Sequence, residues 1–274
     1  MTASLGNALI LIALHKVASV HPTTKLLFRC LAVTDLCAGL ITQPLYAAIL
    51  LNIVTKMKRN ILYCVEVIEG VSSFILCHVS ILVSAAISMD RLLALLLGLR
   101  CRQVVSLRRV CVLLTFFWLT GISIVLMKRF WNGNQFAVPV AFSLGALSVF
   151  ISIFSYTMIF FKLRQQRAQV QLQGLHQGQP NGERNPLNIA RYKKTVSSIA
   201  HVQLALVVCY VPYIISSVFL ITITGWSGMS AGIVWISVVT LLYLNSSLNP
   251  ILYCWKIKEV RQAVKDTVRK FCCS

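Results

Sequence analysis

Asp35 interrupts the apolar run Leu31-Ala-Val-Thr-Asp-Leu36, about two to three helical turns from its start. A carboxylate in hydrocarbon is destabilising enough that it marks function by default. Asn7, Ser80, Asn245, Ser246 and Asn249 lie at similar depth in other apolar runs. One carboxylate with hydroxyl and amide oxygens is a suitable donor set for a small hard cation or a water cluster. The plainer alternative is a structural carboxyl, hydrogen-bonded to a neighbouring Ser or Asn. A second pair, Asp90-Arg91, closes the third apolar run. Such an Arg can pair with its acidic neighbour in a closed bundle and turn to a partner's backbone carbonyls in an open one. The alternative is an arginine snorkelling to the interface.

Other chemistries lack their parts. His78 and His201 are isolated, and no Ser–His pair, paired aspartates or His/Glu ligand set occurs in the apolar runs. The chain therefore reads as no enzyme. The ten cysteines show no C-x-x-C and no His–Cys grouping. Cys30, Cys37, Cys77, Cys111 and Cys209 read as small buried hydrophobes. No metal site is expected beyond a small hard cation at Asp35, and no other cofactor.

The elements that must position these residues follow from composition. Hydrophobic residues make up 57% of the 274 and charged residues 12%, against about 25% charged in an average globular domain. The mean hydropathy is +0.78. Seven apolar runs are long enough to be read as membrane helices: about 1–17, 26–54, 61–97, 110–126, 138–163, 196–224 and 233–255. The net charge of +19 lies in short clusters between these runs and not along one face, which argues against nucleic acid. With the C-terminus inside, 21 of the 26 basic residues are cytoplasmic. The N-terminus then faces out.

Residues 1–255 thus read as an all-α membrane domain, a seven-transmembrane helix bundle. Residues 256–274 read as a short amphipathic cytoplasmic helix and tail, with Ile257, Val260, Val264 and Val268 as its apolar stripe against membrane lipid. Cys272 and Cys273 behind it are candidate palmitoylation sites, or simply reduced thiols. Residues 165–186, rich in Gln and Gly, read as a flexible cytoplasmic loop.

One motif per helix, in order, gives a more specific reading. Gly6-Asn7, Leu31-Ala32-x-x-Asp35, Asp90-Arg91, Trp118, Tyr156, Pro212 and Asn249-Pro250-Ile-Leu-Tyr253 resemble the pattern of rhodopsin-like (class A) G-protein-coupled receptors over essentially the whole chain. The resemblance implies a plasma-membrane receptor that binds an extracellular ligand and engages a heterotrimeric G protein by outward movement of its sixth helix. It implies that Asn7, Asp35, Ser80, Asn245, Ser246 and Asn249 form a pocket for allosteric sodium and water. Asp90, Arg91, Leu99, Tyr156 and Tyr253 are implied at the G-protein end. Tyr210, Pro212, Asn249, Pro250 and Tyr253 are implied as activation switches, and both prolines remove a backbone hydrogen bond from a helix that must move.

Departures from the pattern are informative. Leu92 follows Arg91 where Tyr is usual, Tyr210 stands where the pattern has Trp, and Ser148 where it has Pro. Lys128–Phe136 contains no cysteine, so Cys64 has no extracellular partner for the usual disulfide. These features resemble the melanocortin, lysophospholipid, cannabinoid and adenosine group. Ser73 stands where aminergic receptors carry Asp, and Tyr243 where opsins carry the retinal lysine. Ser73, Phe74, Cys77, His78, Tyr210, Tyr213, Ser217 and Tyr243 line the ligand cavity by analogy. Glu66 and Glu69, three apart and on one helix face, are candidates above it. They receive a basic peptide or calcium, as in melanocortin-like receptors, or they pair with Lys56, Lys58 or Arg59.

Rival readings are weaker. A transporter predicts inverted repeats or paired broken helices, which the sequence lacks. A decoy receptor that does not signal is disfavoured by the intact Asp90-Arg91 and Asn249-Pro250. Residues 188–194 contain no acid to hold Arg91 from the sixth helix. The run from Met1 to Leu14, at about 1.5 Å per residue, falls short of a bilayer. An N-terminally incomplete first helix is therefore expected.

Overall fold

The computed structural model describes residues 2–16, 21–55, 59–98, 101, 105–130, 134–176, 207–219, 229–256 and 258–272. Every regular element among them is a helix. Apolar surroundings explain this, because backbone N–H and C=O groups without water must be satisfied within their own segment. In chain order these are α1 (Thr2–Lys16), α2 (Pro22–Cys37), a π-helical turn (Ala38–Thr42), α3 (Gln43–Thr55), α4 (Arg59–Leu97), α5 (Leu107–Phe130) and α6 (Asn134–His176). Then come α7 (Val207–Phe219), α8 (Met229–Lys256) and α9 (Lys258–Cys272).

Five stretches among the described residues are long and apolar enough to cross a membrane: Pro22–Asn52, Arg59–Leu97, Leu107–Phe130, Pro139–Gln165 and Ala231–Leu252. α7 is a shorter apolar helix. α1 has 15 residues, about 22 Å of helix.

α4 is the central post and packs against α2, α3, α5 and α6. One apolar core joins Ile10 and Leu14 of α1, Leu27, Phe28 and Leu31 of α2, Val79, Val83 and Ile87 of α4, and Val110, Leu114 and Phe117 of α5. A second joins Ile81, Val149, Tyr210 and Leu242, which ties α7 to α4, α6 and α8. The outer faces of α5 and α6 carry exposed Val112, Phe116, Leu119, Phe150 and Phe154, as expected of surfaces whose solvent is lipid.

α1 is docked by two close approaches. A Cβ built on Gly6 would lie 2.8 Å from the Pro250 Cβ of α8, and one on Gly39 would lie 2.8 Å from Ser4 Oγ. Any larger residue at either position must push α1 away. At the other end of α1, Lys16 Nζ donates to Thr267 Oγ1 of α9 at 2.8 Å, and Ala263 and Val264 join the first core.

Two sequence expectations are revised. The second run is not one continuous α-helix: it begins at Pro22, whose fixed φ suits a first turn, and is broken by the π turn. The stretch read as a loop from Gln165 is helical as far as His176, because Gln, Arg, Leu and Ala are good helix formers whether or not they have an apolar face to bury. In α9, Val264 of the expected stripe packs against the first core together with Ala263, Thr267 is buried and Val268 is exposed.

Candidate functional site

Three polar assemblies are spaced along the axis of α4. The middle one surrounds Asp35, which is 2% exposed. Asn249 Nδ2 of α8 donates to Asp35 Oδ2 at 2.6 Å, and Ser246 lies beside the same carboxyl. Asn7 Nδ2 donates to Ala3 O at 2.8 Å and to Ser246 O at 2.9 Å, which links α1 to α8. α1, α2 and α8 thus meet here, and Ser80 of α4 is buried beside Tyr210 of α7. Asn7 Oδ1, Asn249 Oδ1, Ser80 Oγ and both polar atoms of the Asn245 side chain are buried with no hydrogen-bond partner among the described residues.

Native interiors seldom leave so many buried polar atoms unpaired in one place unless water or an ion completes them. The donor set is one carboxylate plus neutral oxygens, which fits a small hard cation. It does not fit a transition metal, and no cluster of three His, Cys, Asp or Glu occurs among the described residues. Two backbone irregularities flank the assembly. The π turn begins three residues after Asp35, and such bulges concentrate at functional sites. Pro250 directly follows Asn249 inside α8.

The second assembly closes the far end of α4. Thr24 Oγ1 of α2 donates to Asp90 Oδ2 at 2.8 Å. Arg91 Nη2 is 3.5 Å from the same oxygen, with side chains 19% and 8% exposed for Arg91 and Asp90. The guanidinium lies over the Phe28 ring, 5.9 Å from its centroid, and Arg91 Nε is buried without a partner among the described residues. Tyr156 of α6 is close enough to feel the Arg91 charge. Leu92 is buried and packs against Ile159, which accounts for an apolar residue in that place. In the adjoining loop, burial and then the Asp90 carboxylate push the Cys101 thiol above its ordinary range. Leu99, Cys273 and residues 188–194 lie outside the described residues, as does the Tyr253 side chain.

The third assembly lies toward the opposite end of α4. The Tyr243 hydroxyl of α8 donates to the Glu69 carboxylate. Tyr46 of α3 meets the Tyr243 ring edge-on, with centroids 5.3 Å apart. Gln43 Nε2 donates to Tyr243 O at 3.1 Å, and Tyr213 packs on Trp235 at 5.6 Å. Ser73 lies beside Tyr243, and Cys77 is near Tyr210, Tyr213 and Tyr243. Ser217 Oγ is spent on Tyr213 O at 2.7 Å.

Glu66 is exposed and takes no part in this assembly. Among the described residues no ion pair joins Arg59 to either glutamate. Lys56 and Lys58 lie outside them. Phe74 and His78 lie further along α4. Their rings stack on one another, and His78 Nε2 shares a hydrogen bond with Thr120 of α5 at 3.3 Å. A Cβ on Gly121 of α5 would come within 3.3 Å of the His78 ring.

Sequence reasoning missed Thr24, Phe28, Gln43, Tyr46 and Trp235. Each is an ordinary residue in or beside an apolar run, and its role depends on which helix faces it. Pro212 lies within α7, and the buried Tyr210 is held in the second core. Trp118 packs against the first core.

Comparison with known proteins gives this geometry a context. The family profile described as "7 transmembrane receptor (rhodopsin family)" matches residues 6–253. The chain is 26% identical to adenosine receptor A3 of Canis lupus familiaris, over 96% of this chain and 85% of that protein. It is 28% identical to the histamine H2 receptor of Cavia porcellus, over 98% and 76%. With trace amine-associated receptor 9 of Mus musculus the identity is 24%, over 97% and 80%.

Proposed function

Because this chain belongs to the rhodopsin family of seven-transmembrane receptors, we propose that it is a cell-surface receptor driven by an extracellular ligand and coupled to a heterotrimeric G protein. In this reading α1 and α7 serve as the first and sixth spans, the N-terminus faces out, and α9 lies on the inner leaflet. The observation that carries the coupling mechanism is the Thr24–Asp90–Arg91 arrangement. Asp90 is held on one side by a buried hydroxyl and faces Arg91 at 3.5 Å on the other. That is a closed state of an arginine poised at a bundle end. Outward movement of the sixth helix, carrying Pro212, frees Arg91 for the carbonyls of the G protein's terminal helix, with Tyr156, Tyr253 and Leu99 at the same surface.

The Asp35 assembly is the allosteric element. Its unpaired oxygens suit sodium and ordered water, and a bound ion would supply the positive charge that neutralises Asp35. Asp35, Ser80, Asn245, Ser246 and Asn249 would hold it, with Asn7 bracing α8 through Ser246 O. Collapse of this pocket then favours the open state, so ion and agonist oppose one another.

The relatives' names mention adenosine, histamine and trace amines. A small organic ligand between α4, α7 and α8 suits the aromatic assembly around Tyr243. The test of the coupling reading is a G-protein dissociation panel on cells expressing the chain. Activation of at least one heterotrimer, lost in Arg91→Ala at equal surface expression, is expected. Silence across the panel favours the decoy reading.

A further inference from the structure

α4 and α6 run parallel and meet through two apolar layers. Ile81 and Val149 share one core, and Leu92 packs on Ile159 about three turns further along both helices. Between these layers the inward positions are serines. Ser84 and Ser88 follow Ile81 by three and seven residues, and Ser152 and Ser155 follow Val149 by three and six. Helical periodicity keeps them on the side of the flanking contacts, while Phe150, Phe154 and Phe161 on the other side of α6 are exposed. One turn before the Leu92–Ile159 contact, the same register sets Ser88 level with Ser155. Each of the four serines is at most 1% exposed.

Hydrogen bonding within this seam is uneven. Ser88 Oγ donates to Ser84 O at 3.0 Å, and Ser152 Oγ donates to Ser148 O at 2.9 Å. Both hydroxyl protons are thus spent inside their own helices, and both oxygens keep the capacity to accept. Ser155 Oγ is buried with no partner among the described residues. An unsatisfied hydroxyl is destabilising where no bulk water reaches it. The apolar layers set the spacing of the two helices, and serine is shorter than the Ile, Val and Leu of those layers, so the seam is roomier between them. A donor facing two acceptors across such a gap is the arrangement that holds a buried water, which takes about two to four polar partners.

We propose that one water molecule is built into the α4–α6 seam, accepting from Ser155 Oγ and donating to the Ser88 and Ser152 hydroxyl oxygens. It fills the polar gap between the two apolar layers and ties the helices by exchangeable bonds in place of interlocked side chains. Tyr156 follows Ser155 along α6 and lies within reach of the Arg91 charge, so the tie fixes the turn that carries it. The site depends on the fold alone and stands whether or not the chain couples to a G protein.

The test melts the full chain in lipid nanodiscs as wild type, Ser88→Ala, Ser155→Ala and the double variant. A hydroxyl bonded to a held water loses that bond in Ser155→Ala, and the melting temperature should fall by about 2–4 °C. A dry, unsatisfied hydroxyl predicts the opposite, because its removal relieves a buried polar group. Since both hydroxyls hold one water, the double variant should lose less than the sum of the two single losses. Unchanged or raised melting in Ser155→Ala, or single losses that simply add, would overturn the proposal. X-ray hydroxyl-radical labelling gives a second reading, because it marks oxidisable side chains beside held water. Met89 or Tyr156, which adjoin Ser88 and Ser155, should be marked in wild type and several-fold less in Ser155→Ala. Equal marking of the two proteins, or none in wild type, would also overturn it.

Discussion

Replacing Asp90 by asparagine keeps the shape of the side chain and its capacity to accept from Thr24, but removes the charge that faces Arg91. At 3.5 Å and an effective dielectric of about 20, two unit charges attract by roughly 5 kcal/mol before any cost is deducted. The Arg91 side chain is 19% exposed, and screening and desolvation reduce the net coupling to ~1–2 kcal/mol. No acid occurs in residues 188–194 to replace Asp90 from the sixth helix, so this loss falls directly on the closed state. A shift of that size raises a small open population roughly 5- to 30-fold. Ligand-free nucleotide exchange on membranes, normalised to surface receptor, measures it. Basal exchange in Asp90→Asn equal to wild type, at normal expression, would refute the idea that Asp90 restrains Arg91.

Sodium should weaken agonist binding by about fivefold or more, and Asp35→Asn should erase the dependence; an equal sodium response in both forms would remove the ion from the account. Gly39→Val places a branched side chain where even a Cβ sits 2.8 Å from Ser4 Oγ and 2.9 Å from Ala3 Cβ. A loss of about 1–3 kcal/mol should appear as a lower melting temperature in detergent, whereas Gly70→Val, with nothing within 4 Å, should lack that clash. Acyl-exchange labelling should detect palmitate that Cys272→Ser and Cys273→Ser together remove, and unchanged labelling in the double variant would point to another cysteine.

How much of this was legible in the sequence depended on which physical force set each feature. The requirement that backbone be satisfied internally acts run by run, so the apolar helices and the inward depth of Asp35, Asn7 and Asn249 could be read from position alone. The π turn after Cys37 could not, nor could the close approach of its Gly39 to Ala3 and Ser4 of another helix. Thr24 as the partner of Asp90 was hidden for the same reason: a threonine at the end of an apolar run is unremarkable until α2 is laid against α4. The Glu66/Glu69 pair shows how far a face argument reaches. Spacing of three put both on one side of α4, yet only Glu69 meets Tyr243, since a single turn separates the exposed end from the helix interface. The contacts of His78 with Gly121 and Thr120 of α5 were hidden likewise, because they depend on how α5 lies against α4.

The central claim is that Arg91 transmits an open state of this bundle to a G protein. The most direct measurement is nucleotide exchange on purified heterotrimers by the full chain in nanodiscs, wild type beside Arg91→Ala. The account predicts accelerated exchange on at least one heterotrimer by wild type and none above background by Arg91→Ala, with the two proteins equally folded by thermal melting. Equal acceleration by the two proteins would contradict it.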